Sequence, residues 1–229
     1  MFEVKMKFLV DCSSRRLKEM LNSCEGELLI EGQLCTPLTN YKNWKGVFGA
    51  DNGCYGGLNR RSFFSFLSRK KKYISRCKFL SMPDIVGNGR RTLELFNHFS
   101  QEERLQDWKN KWALVAQDGM EDLDIDWKLV QALFVGGTNK FKDSQAAYDL
   151  CRTSLAMGKH THVGRVNQWK RYKKFNELGC DTCDGSGVSK YSEKLISIKR
   201  NIDILNSEIT EEMSERQVRI LNNKKESLQ

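Results

Sequence analysis

Six short clusters in this chain combine carboxylates, amides and glycines in a way that suits a polar, planar ligand. They are Asp51-Asn52-Gly53 with Tyr55, Pro83-Asp84, Gln117-Asp118-Gly119, Gly136-Gly137-Thr138, His162 with Gly164-Arg165, and Asp184-Gly185. Carboxylates accept from the ring and exocyclic N–H groups of a nucleobase, and backbone amides donate to its carbonyl. A pair of carboxylates also suits glycosyl transfer, one as nucleophile and one as acid/base. Asp-Gly and Gly-Gly pairs are turn formers as well, so the reading rests on the ordered set and on no single dipeptide. A second constellation, His160-Thr161-His162 with Cys180-Asp181-Thr182-Cys183, offers two nitrogens and two sulfurs of the types zinc takes. Against a metal, Cys180 and Cys183 stand an odd number of residues apart on an expected strand, so they face opposite sides, with one of them buried. A redox Cys pair would want a helix start, which is lacking. We expect neither metal nor cofactor, and His160 reads equally well as a core histidine.

Each cluster follows a short apolar run, and those runs predict strands. They are Val4–Val10, Glu27–Ile30, Gly46–Ala50, Lys78–Met82, Trp112–Ala116, Ala132–Val135, His160–Val163 and Cys180–Cys183. Most are apolar on both faces, as parallel strands covered by helices are. Between them, helical spacing predicts Ser13–Cys24, Asn59–Arg76, Arg90–Lys111, Lys142–Met157 and Arg165–Leu178, with Gly179 as a C-cap. Gln33–Lys45 reads as loop. Alternation of this kind predicts an α/β fold, a compact (β/α)8 TIM-type barrel over residues 1–188, whose function gathers at the C-terminal ends of the strands. At roughly 185 residues the barrel falls below the usual size of about 250, so its loops must be short. Residues 189–229 form a separate extension. Leu195, Ile198, Ile202, Leu205 and Ile209 follow helical spacing, the register breaks at Thr210, and Val218 and Leu221 resume it. A C-terminal helical hairpin packed on the barrel is expected, with a homodimer as the alternative.

The chain has 229 residues and a net charge of +9, which asks for an acidic partner. The extension holds 8 Lys/Arg against 7 Asp/Glu, which leaves 30 against 22 in the barrel. Arg69-Lys70-Lys71-Lys72, Arg90-Arg91 and Lys170 to Lys174 could neutralise phosphates or be solvated helix faces. No apolar run is long enough to span a membrane, and no signal-peptide pattern is present. Eight irregularly spaced cysteines read as reduced thiols in a cytoplasmic compartment.

In their order and spacing these motifs resemble the tRNA-guanine transglycosylase superfamily, and most of all the phage and bacterial DpdA-type 7-deazaguanine DNA transglycosylases. The family's D-S-G-G-[FY]-Q is similar to Asp51-Asn52-Gly53-Cys54-Tyr55-Gly56, its F-D-E-C to Pro83-Asp84-Ile85-Val86, and its V-Q-G-G to Ala116-Gln117-Asp118-Gly119. Its G-G-L is similar to Gly136-Gly137-Thr138, and its G-V-D-M-F-D to Gly179-Cys180-Asp181-Thr182-Cys183-Asp184. The resemblance covers roughly Gly46 to Gly187 and lies in ordered motifs. It implies Asp184 as nucleophile and Asp51 as general acid/base. Tyr55 would stack on the base, and Asp84, Gln117, Gly136 and Gly137 would read its edge. His162 and Arg165, in a segment that looks more like the DNA-modifying branch, would bind substrate.

The departures carry expectations too. The tRNA enzymes have a zinc site downstream of the nucleophile, whereas no Cys or His follows Cys183 here, which favours DNA over tRNA as the polymer. Val86 replaces a family cysteine beside the base. Lys142 stands where the bacterial tRNA enzymes have a glutamate, which favours a neutral base such as 7-cyano-7-deazaguanine over a cationic one. The alternatives are base exchange on tRNA, or a glycosylase or nucleic-acid-binding relative without base insertion. The resemblance also leaves room for a homodimer or an accessory protein, and for a phage-encoded protein working in its host's cytoplasm.

Overall fold

Side-chain caps start most of the helices in this chain. Ser13, Asn59, Asn88, Thr138 and Ser144 each accept a hydrogen bond from the backbone N–H three residues on, which satisfies one of the orphan donors of a helix start. Gly179 ends its helix in the left-handed conformation, with φ 94°, where a Cβ would be strained. Between these punctuation points the computed structural model, which describes residues 1–38 and 46–226, forms eight parallel strands. They are β1 (Lys7–Val10), β2 (Ile30–Cys35), β3 (Phe48–Ala50), β4 (Cys77–Ser81), β5 (Trp112–Ala116), β6 (Ala132–Val135), β7 (His160–Val163) and β8 (Thr182–Cys183). Each pairs with the next, and β8 returns to β1 through Lys7↔Thr182 and Phe8↔Cys183, so the sheet closes. The fold is the expected (β/α)8 barrel.

The helices outside it are α1 (Ser14–Leu21), α2 (Cys24–Leu29), α3 (Arg60–Lys70), α4 (Gly89–Ser100), α5 (Asn139–Lys142), α6 (Gln145–Ala156), α7 (Trp169–Leu178), α8 (Ser186–Lys190) and α9 (Ser192–Glu226). Two expected helices change character part-way. Lys71–Arg76 and Glu103–Lys111 continue α3 and α4 as 3-10 turns that lead into the next strand.

Two expectations are corrected. Of the expected second strand Glu27–Ile30, only Ile30 is in β2: Ser23 caps the N–H of Gly26, Glu25 and Glu27 favour the first turn, and Glu27–Leu29 fold as part of α2. The strand follows it, taking Gln33–Cys35 from the expected loop; residues 39–45 of that loop lie outside the described residues. The C-terminal hairpin is instead one continuous helix, α9. No glycine or proline interrupts it, and the side chains around the shift in apolar spacing, Thr210 to Met213, are exposed. The side chains of Val218 and Leu221 lie outside the described residues.

Strand alternation sorts the core into two shells. Leu9, Leu34, Phe79, Ala113, Val115, Ala132 and Phe134 fill the barrel interior. Phe8, Val10, Leu114, Leu133, Val135, Val163 and Cys183 face the helices in a larger cluster. Gly49 of β3 makes the inner shell fit, because a Cβ there would lie 2.7 Å from the Phe79 ring and 2.8 Å from Leu9. Leu195, Ile198 and Ile202 of α9 belong to the outer cluster, so the extension packs on the barrel.

This packing sets an expectation for stability. Leu195 is 2% exposed and Ile204, on the same helix, is 51% exposed. In urea unfolding, Leu195→Ala should cost about 2–5 kcal/mol, and Ile204→Ala no more than about 0.5 kcal/mol.

Candidate functional site

The same alternation that fills the barrel interior builds its mouth. Two residues beyond the inner-shell positions, Asp11, Asp51, Ser81, Gln117, Gly136, Gly164 and Asp184 line an open cavity of about 370 Å3. Asn52, Tyr55, Asp84, Val86, Gly137, Arg165 and Ser186 complete the walls, and Phe134 and Val115 form the floor. The expected site residues Asp51, Tyr55, Asp84, Gln117, Gly136, Gly137, Arg165 and Asp184 all meet there.

One wall is a fixed polar edge. Asn52 Nδ2 donates to the Met82 carbonyl at 2.7 Å and to Asp84 Oδ1 at 2.8 Å. Gln117 Nε2 donates to Asp84 Oδ2 at 2.6 Å, and its Oε1 accepts from the Gly87 N–H at 2.8 Å. Asp84 keeps lone pairs, and Gln117 an N–H, for a ligand lying against them. Burial raises the Asp84 carboxyl above its ordinary range, against the lowering effect of these two amides. Gly136 leaves this edge open, since a Cβ there would come within 2.8 Å of Gln117 Nε2.

The two carboxylates implied in catalysis sit in unlike surroundings. Asp51 begins the turn after β3, where its Oδ1 accepts from the Gly53 N–H at 2.6 Å. Desolvation raises its pKa to about 7 despite that bond, and the charges of Asp184, Asp84 and Asp11 push the same way. Asp184, just after β8, has Oδ1 tied twice, by the Arg165 N–H at 3.0 Å and by His162 Nε2 at 3.3 Å. Arg165 is the one non-glycine with a left-handed backbone among the described residues, at φ 58°. From that conformation its guanidinium donates to the Gly137 carbonyl and lies 5.3 Å from the centre of the Tyr55 ring. Tyr55 is 77% exposed at the rim.

Several residues sit elsewhere than sequence reasoning put them. His162, expected to bind substrate, is fully buried and reaches the site through Asp184. Asp118 accepts from the Thr138 N–H and hydroxyl, which ties it to the start of α5. His160 and His162 point into the barrel, the first stacked on Phe79 and the second tilted against it, while Cys180 and Cys183 are both buried in the outer cluster and not on opposite sides as expected. The four do not converge, and among the described residues no group of metal-ligating side chains does. Lys142 is fully buried and donates to the Gly137 carbonyl at 3.1 Å; burial, with Arg165 and Arg171 nearby, lowers its pKa to about 8. Much of the basic clusters is engaged: Lys71 with Asp107, Arg91 with Glu94, Arg171 with Asp143, and Lys70 over the Phe48 ring.

Asp11, Ser81 and Ser186 were missed. Asp11 was findable, because it directly follows an expected strand on the inward period of Leu9.

No family model and no curated protein matches this chain. No helix among the described residues is long and apolar enough to cross a membrane.

The raised Asp51 carboxyl has a consequence for stability. Between the ordinary value of 3.8 and about 7 the folded protein holds a proton that the unfolded chain has lost, so stability falls as pH rises through that window. Asp51→Asn removes this loss. Asp51 is only partly buried and solvent screens part of the effect, so Tm should rise by about 2–4 °C at pH 8, roughly 1 kcal/mol in a domain of this size. At pH 4 the variant should melt with the wild type.

Proposed function

We propose that this protein exchanges guanine in DNA for a 7-deazaguanine base through a covalent glycosyl-enzyme on Asp184. The observation that carries the reading is the pairing, in one cavity, of two differently held carboxylates with a planar polar edge. A base lying against Asp84, Gln117 and Gly136 meets acceptors for its N–H groups, and Tyr55 at the rim offers a stacking surface. The base must leave the duplex stack to arrive there, at a cost of a few kcal/mol that such stacking partly offsets.

The chemistry divides between the carboxylates. Asp184 attacks C1′, the C1′–N9 bond breaks with its electron pair going to N9, and protonated Asp51 supplies the proton to the departing base. In the return step Asp51, now ionised, takes the N9 proton of the incoming base, N9 bonds to C1′, and the Asp184 carboxylate leaves. A pKa of about 7 suits a group that must act as acid and then as base near neutrality. Arg165 and Lys142 both donate to the Gly137 carbonyl, so two cationic side chains stand on that side of the cavity. A neutral substituent, as in 7-cyano-7-deazaguanine, fits it better than an ammonium.

Label exchange tests the reading. Radiolabelled guanine, and separately 7-cyano-7-deazaguanine, would be offered with duplex DNA or bulk tRNA. Incorporation into DNA is expected, reduced at least about 10³-fold in Asp184→Asn, as for loss of a covalent nucleophile. Incorporation into tRNA alone would overturn the choice of polymer. Undiminished exchange by Asp184→Asn, or no incorporation of either base, would overturn the mechanism.

A further inference from the structure

A single file of polar atoms runs through the otherwise apolar barrel interior. His160 Nε2 lies 2.8 Å from Thr182 Oγ1, which lies 2.9 Å from His162 Nδ1, and His162 Nε2 lies 3.3 Å from Asp184 Oδ1. At the other end His160 Nδ1 is 3.7 Å from Asp181 Oδ2, beyond hydrogen-bond reach. Phe79 and Phe134 enclose the file, each with its ring centre 4.6 Å from that of His162. No solvent reaches His162 or Thr182 to any extent, so their hydrogen bonds must be made within the file.

With both imidazoles neutral, proton counting leaves two arrangements. The Thr182 hydroxyl has one proton to give. A neutral imidazole carries one ring proton, and His160 is neutral, since burial first, then His162, Lys78 and Lys111, press its pKa down to about 3. In one arrangement both histidines carry the proton on Nε2: His160 donates to Thr182, Thr182 donates to His162 Nδ1, and His162 donates to Asp184. In the other both carry it on Nδ1 and every donor points away from Asp184. The second would set a nitrogen lone pair against the Asp184 carboxylate at 3.3 Å, in exchange for an N–H facing Asp181 from too far away to bond. The distances select the first.

We propose that His162 is a positioning residue for Asp184, its Nε2–H tautomer fixed by Thr182 and His160. The donated N–H, together with that of Arg165, ties Oδ1 and leaves Oδ2 as the oxygen presented to C1′. An imidazole oriented by a third group follows the logic of hydrolytic triads, here turned on a carboxylate. The catalytic consequence rests on the base-exchange reading above; the tautomer does not.

Nitrogen-15 NMR of the imidazoles in the full-length protein tests the file directly. The chain has three histidines, and exposed His98 on α4 serves as reference. At pH 8 both His160 and His162 should show protonated Nε2 and bare Nδ1. Thr182→Val keeps the side-chain shape, removes the hydroxyl and should let His162 populate both tautomers. Protonated Nδ1 in the wild type, or an unchanged His162 signal in Thr182→Val, would overturn the proposal. In the exchange assay His162→Leu should lower kcat about 10²-fold, the usual scale for one lost donor, with KM unchanged. His162→Gln, which keeps a terminal N–H, should recover part of that. A wild-type kcat in His162→Leu overturns the positioning role. The expected tautomers with no exchange on either polymer would remove the base-exchange reading, and the catalytic role with it, while the file stands.

Discussion

The site depends on the closure of the barrel by its shortest strand. β8 is two residues long, and it is held by Lys7↔Thr182 and Phe8↔Cys183 on one side and by His162↔Thr182 and Val163↔Cys183 on the other. Beyond the strand, the Asp184 N–H donates to the Val163 carbonyl at 3.1 Å and the Asp184 carbonyl accepts from Val166. So short a strand has little stability of its own and takes its geometry from its neighbours. A slip of one residue would turn Thr182 outward, bring Cys183 inside and aim Asp184 away from the cavity. The hydrogen bonds from Thr182 to both histidines work against that slip, because a buried hydroxyl or imidazole left unpaired costs about 1–3 kcal/mol.

With closure fixed, chemically identical side chains acquire different properties. Asp51 sits among three other carboxylates with one backbone donor, and its proton is held up to about 7. Asp184 receives two N–H groups on one oxygen. Surroundings of this kind divide acid/base work from nucleophilic work between two carboxylates. Asp84 follows a third pattern: it is buried, yet both oxygens take amide donors, so its orientation is fixed and it presents an edge.

Legibility in the sequence followed local pattern. Trp112–Ala116, Ala132–Val135 and His160–Val163 were read to the residue, because each is a short buried run between polar or glycine boundaries. α2 was hidden because six residues are too few to display a helical period, and Leu28-Leu29-Ile30 straddles its junction with β2. α9 was broken in two on paper because periodicity reports which face is covered, and its described side chains are buried at Leu195, Ile198 and Ile202 but exposed from Thr210 to Met213. The mouth residues were visible as the ends of strands. What no pattern carried was direction across space: that His162 faces Asp184 from below, that Lys142 turns inward under Gly137, and that Asp118 closes on Thr138. The first and last of these join residues 22 and 20 positions apart, and neither spacing nor composition encodes them.

Arg165 draws the two halves of the cavity together. Its left-handed backbone costs roughly 1–2 kcal/mol for a residue with a Cβ, and strain of this kind persists only where surrounding contacts over-determine it. Here they do. The N–H reaches Asp184, the guanidinium reaches Gly137, and the same cation lies near the Tyr55 ring. A relaxed backbone would break the first contact and redirect the others, so Asp184, the Gly137 carbonyl and the rim aromatic Tyr55 share one conformational constraint. Glycine at this position would relieve the strain and give up the guanidinium contacts, which is a physical reason for an arginine in a conformation that glycine adopts freely.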